Sequence, residues 1–163
     1  MQADASFSLQ MPHDRHSYRS TRGPAHSASV DVTPPGGIEI TLAASSDAPH
    51  FARRAVTDAL AQWSANRRDA ALLVISELVT NAIRHGAAGR EDRISLQLRR
   101  RASTLRIEVT DPRARAGTIA EASLGGDEKR SGWGLPIIAE LTDRWGVEHG
   151  PGRTCVWCEL DGA

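Results

Sequence analysis

From Ile38 to Leu42 apolar and polar residues alternate (Ile-Glu-Ile-Thr-Leu), the period of a half-buried strand. Ser46 or Asp47 then offers a helix cap, Pro49 suits the first turn, and the spacing predicts a helix to about Ser64. A second helix is predicted from Asp69 to about His85, stopped by Gly86. The two-residue period returns in 93–99 and in 105–109, with Ala102-Ser103-Thr104 as the turn region. Residues 112–131 show neither period. A loop this long in a compact domain is usually a functional lid or disordered. Gly134-Leu135-Pro136 opens a third helix through Leu141-Thr142. Two more strands are predicted around 145–148 and 154–160, joined by 149–153.

Every predicted strand has one apolar and one polar face. That predicts an α/β two-layer sandwich: a mixed, mostly antiparallel sheet with helices on one face. The alternation of strand and helix expected of a doubly wound nucleotide fold is absent. Residues 1–36 lack periodicity and hold Pro12, Pro24, Pro34 and Pro35, many serines, and His13, His16 and His26. They are expected to form a disordered tail before a domain spanning 37–163.

Composition narrows the partners. Lys+Arg and Asp+Glu are both 20, so the formal net charge is zero and long-range steering to nucleic acid or anionic lipid is not indicated. No apolar run approaches membrane-spanning length and no secretory signal is visible, so a cytoplasmic protein is expected. Arg99-Arg100-Arg101 reads as a solvated strand end. Cys155 and Cys158 have redox or zinc spacing, but three residues apart on a strand they point to opposite faces, so they cannot share a bridge or a metal.

The second helix carries candidate chemistry. Leu72, Ile75, Val79, Ala82 and Ile83 fall on one side at about 100° per residue, and Glu77, Asn81 and Arg84 on the other. Asn is a poor helix former, yet Asn81 sits mid-helix one turn from a carboxylate. An amide oxygen and a carboxylate so placed can serve as metal ligand and proton acceptor. Asp111 continues the inward register of Leu105, Ile107 and Val109, which sets a carboxylate at the strand's end facing the helix layer. A turn acid before Pro112 is an equal alternative on local evidence. Gly132 and Gly134 flank Trp133 at the entrance to the third helix, where backbone N–H groups can approach an anion.

In chain order these pieces are Glu77-Leu-Val-Thr-Asn81-Ala-Ile-Arg-His85, Glu108-Val-Thr-Asp111, Gly132-Trp-Gly134-Leu135 and Gly152-Arg-Thr154. Together they resemble the GHKL (Bergerat) ATP-binding family over about Ile38 to Leu160. The runs around Glu77 and after Gly132 look like its bacterial anti-sigma-factor serine/threonine kinase branch. The resemblance implies an ATP- and Mg²⁺-dependent protein kinase in which Asn81 holds magnesium and Glu77 accepts the nucleophile's proton. It assigns Asp111 to the adenine amino group, Gly132, Gly134 and Leu135 to the phosphate side, and Thr154 to the vicinity of adenine. Implied partners are a sigma factor and an antagonist protein, with a homodimer compatible. The alternative is a catalytically silent module that binds nucleotide or sequesters a partner. One departure stands out: the family's D-x-G-x-G is here Asp111-Pro112-Arg113-Ala114-Arg115, without glycines.

Overall fold

The computed structural model describes residues 28–33, 37–85, 92–112 and 134–162. Among them are six strands and three helices. The strands are β1 (Ala28–Thr33), β2 (Gly37–Ala43), β3 (Arg93–Arg101), β4 (Thr104–Asp111), β5 (Arg144–Gly150) and β6 (Arg153–Asp161). The helices are α1 (Ala48–Val56), α2 (Ala65–His85) and α3 (Gly134–Leu141). The sheet order is β1-β2-β3-β4-β6-β5, and every pairing is antiparallel.

Strict alternation builds the sheet. Along β4, Leu105, Ile107, Val109 and Asp111 are buried while the residues between them are half-exposed. In β6 the buried set is Thr154, Val156, Cys158 and Leu160. The inward apolar residues meet α2, whose buried stripe is Ala71, Val74, Ile75, Leu78, Val79 and Ala82. Helix spacing of three and four keeps that stripe on one side. It is wider than the expected one, because Ala71, Val74 and Leu78 join it while Leu72 and Ile83 flank it, half-buried against the core. The helices therefore lie on one sheet face, with a continuous core from Ile40 to Leu160 between the layers.

Two helix boundaries differ from expectation. The first helix ends at Val56 rather than near Ser64, and 57–63 form successive turns. Leu60 N–H donates to both Val56 and Thr57 carbonyls, and Trp63 N–H to Leu60. Leu60 and Trp63 are both buried in these turns, continuing the face that Ala52 and Val56 present to the core. The second helix starts at Ala65, four residues before Asp69, its first turn secured by Arg68 N–H on the Ser64 carbonyl at 2.9 Å.

The expected tail also yields a strand. β1 pairs along β2, Val30 opposite Ile40, so Ala28–Thr33 belongs to the sheet and not to a disordered tail. An edge strand leaves a row of backbone N–H and C=O groups open, and β1 fills that row. The sequence signal, at odds with the reading of 1–36 as lacking periodicity, is the short alternation Ser29-Val30-Asp31-Val32-Thr33. The rest of the expected tail lies outside the described residues.

The sheet's other face is polar and cross-linked. Arg106 reaches Glu108 at 2.6 Å and Glu159 at 3.1 Å, and its guanidinium lies 4.2 Å from the Trp157 ring centroid. Arg144 binds Glu159 and Asp161 at 2.7 and 2.9 Å. Arg106, Glu108, Arg144 and Glu159, with Arg99, Arg101 and Thr104, line an open cleft of about 410 Å³. No described helix is long and apolar enough to cross a membrane.

Candidate functional site

The site begins with the end of β4. Asp111 is 4% exposed and occupies the inward register that Leu105, Ile107 and Val109 set. Register, and not a turn, therefore decides where this acid sits. Its direct cross-strand partner on β6 is Thr154, 2% exposed. Two polar side chains thus share one pair position at the sheet's end, on the face covered by helices. Burying both costs desolvation unless polar groups meet them. The Thr154 hydroxyl lies 3.0 Å from Nδ1 of His149, its partner on β5. Asp111 is itself engaged by another group of the protein.

The helix layer supplies the second pair. Glu77 and Asn81 are both half-buried on α2, one turn apart and outside the buried stripe, whereas Arg84 is exposed. The neighbouring Ser76 accepts a hydrogen bond from Arg53 of α1 at 2.8 Å and donates to the Leu72 carbonyl at 2.8 Å. That link fixes the rotation of this stretch of α2 against α1. α2 packs over β3, β4 and β6 and against α3, so the helix carrying Glu77 and Asn81 covers the strands carrying Asp111 and Thr154. Gly134 opens α3, and Leu135 is half-buried against the core. Gly132, and the predicted lid beyond Pro112, lie outside the described residues.

His149 is the residue that reading the sequence missed, because it was assigned to the connection between the last strands. Parity would have found it: Trp145, Val147 and His149 alternate along β5, and the first two pack on the core. The cysteines are resolved by the same parity. Cys158 is buried and burial pushes its thiol up to about 12, while Cys155 lies opposite Thr110 on the other face. Neither is a thiolate at neutral pH, since burial also raises Cys155.

The donor set suits an adenine nucleotide. An acid and a hydroxyl, side by side and shielded from water, can accept hydrogen bonds from an exocyclic amine. The helix entrance at Gly134 favours an anion. A family model, the histidine kinase-like ATPase domain, matches residues 41–160. The chain belongs to the histidine kinase-like ATPase family. The matched span holds the whole site, from α2 to Thr154, and the family implies ATP binding. Among solved structures, the RsbU and RsbW domains of Rv1364c from Mycobacterium tuberculosis superimpose with a TM-score of 0.60 at 22% identity. The match covers 79% of this chain and 33% of that one, so this chain spans about a third of that protein's length. At such identity the likeness establishes the fold. No curated protein matches the sequence.

Proposed function

We propose that this chain is an ATP-dependent serine/threonine protein kinase of the anti-sigma type, which phosphorylates a small antagonist protein and regulates transcription by binding a sigma factor. The observation that carries the reading is the pairing of Asp111 with Thr154 at the helix-covered end of the sheet, beneath the helix that bears Glu77 and Asn81. An RsbW domain within the structural neighbour agrees with it. The kinase-like unit is taken as 37–163, with β1 added at its edge.

In this reading Asp111 accepts a hydrogen bond from the adenine amino group, with Thr154 beside it. Backbone N–H groups at Gly132 and Gly134 face the phosphates, and Leu135 closes the apolar side. The Asn81 amide oxygen is the magnesium ligand. When bound, magnesium neutralises negative charge on the phosphates. Glu77 orients the incoming serine or threonine hydroxyl and takes its proton.

A second reading is favoured by one feature. Pro112-Arg113-Ala114-Arg115 stands where the family has glycines, so the chain can be a nucleotide-binding module that sequesters its partner without transferring phosphate. Phosphate transfer to a candidate antagonist, measured beside equilibrium ATP binding, separates the two. The kinase reading expects Glu77→Gln to keep ATP binding and to lose roughly 10²–10⁴-fold in transfer. Asn81→Ala loses magnesium-dependent binding and transfer together. Equal transfer by wild type and Glu77→Gln removes Glu77 as the base, and no transfer by wild type favours the module.

A further inference from the structure

We propose that His149 is a positioning residue that makes the sheet-end pair selective for a purine carrying an amino group at C6. The inference rests on the nucleotide-binding reading above. It starts from the hydroxyl of Thr154, which is 2% exposed and must place its proton on a protein acceptor or forfeit a hydrogen bond. Its cross-strand neighbours are Asp111 on β4 and His149 on β5. The His149 Nδ1 lies 3.0 Å from Oγ1, a good hydrogen-bond distance.

The direction of that bond sets the polarity of the site. When Nδ1 is the acceptor, the Thr154 O–H points at His149, and the lone pairs of Oγ1 are left for a ligand. Asp111, an acceptor-only carboxylate when ionised, stands directly opposite. The pair then offers two acceptors and no side-chain donor. An exocyclic N–H₂ satisfies that arrangement, and a carbonyl at the same ring position meets lone pairs instead. If Nδ1 carried the proton, the Thr154 O–H would be released to donate and the discrimination would fade. His149 is exposed at the rim of the sheet, with Glu148 and Arg153 as chain neighbours of the pair. It therefore acts on the ligand through Thr154.

ATP and ITP differ in the C6 substituent, amino against carbonyl, and also at N1, which carries a proton only in ITP; purine riboside triphosphate, with a bare N1 and no C6 substituent, separates the two effects. The test is calorimetric titration of each into the full chain. Wild type should prefer ATP at least tenfold. His149→Ala should reduce that preference several-fold, mainly by weakening ATP, and His149→Gln, whose amide oxygen can accept the Thr154 proton, should restore much of it. Thr154→Val should reduce it likewise, and adding His149→Ala to Thr154→Val should change it no further. An unchanged ATP-to-ITP ratio in His149→Ala, or additive losses in the double variant, overturns the proposal. A second arm needs no nucleotide: ¹⁵N spectra of the imidazole should show His149 protonated on Nε2 with Nδ1 bare, and Thr154→Val should shift Nδ1. A protonated Nδ1 overturns the proposal even if ATP binds. If wild type binds neither nucleotide, the nucleotide-binding reading and the selectivity fall together, while the spectra still decide how His149 holds Thr154.

Discussion

Gly146→Ala sets two opposed effects against each other in a way the structure decides. Gly146 lies in β5 opposite Trp157. A Cβ built on Gly146 comes 2.8 Å from Cζ2 and 2.9 Å from Cε2 of that indole. Carbon atoms pack best at about 3.5–4.0 Å, so the ring must retreat by roughly 0.7–1 Å. It has little room to do so, because Arg106 stacks 4.2 Å from its centroid and is itself held by Glu108 and Glu159. Overpacking of this kind costs about 1–3 kcal/mol. Against it stands the ordinary gain of alanine over glycine within a strand, about 0.5–1 kcal/mol. Gly146 is not one of the positive-φ glycines, so that gain is open to it. At mid-range overpacking wins by about 1 kcal/mol. At roughly 3–5 °C per kcal/mol for a domain of this size, the melting temperature should fall by roughly 3–5 °C. Thermal unfolding followed by far-UV circular dichroism measures the shift, and urea unfolding the free energy. The decisive control is a Trp157→Ala background, where the clash is gone and Gly146→Ala should become stabilising. An alanine that stabilises the wild-type chain, or carries the same penalty in both backgrounds, refutes the reasoning.

Three further outcomes are expected. Asp111→Asn exchanges an acceptor-only carboxylate for an amide whose NH₂ opposes the adenine amine, and ATP affinity should fall ten- to a hundredfold, about 1.5–3 kcal/mol, by titration. Leu78→Ala empties a fully buried position between α2 and the sheet and should cost about 2–5 kcal/mol in urea unfolding. Hydrogen bonds from Arg144 first, and also from Arg106, hold the Glu159 carboxyl below its usual range. A depressed folded pKa adds stability above the unfolded value of about 4.3 and loses it as pH falls through the folded one. The stability gap between wild type and Glu159→Gln should therefore be widest near neutral pH and close as pH falls below the ordinary carboxylate range in acid titrations.

Local periodicity was enough to place the strands from β2 onward and the third helix, because each strand buries only one face and so writes its register into the sequence. That same register placed Asp111: counting by twos from Leu105 sets it inward, and the structure finds it there. The spacing of Glu77 and Asn81 likewise follows from helical period alone. Pairing across strands was not legible. That Thr154 faces Asp111, and that His149 reaches the Thr154 hydroxyl, depends on β6 lying between β4 and β5, an order that connections in sequence do not dictate. Where the first helix stops was not legible, because Val56, Leu60 and Trp63 keep the spacing of a continuing helix face and the apolar period carries straight past the end at Val56. β1 pairs with β2 only because β2 stands at the margin of the assembled sheet with one side open, a position that no single segment records.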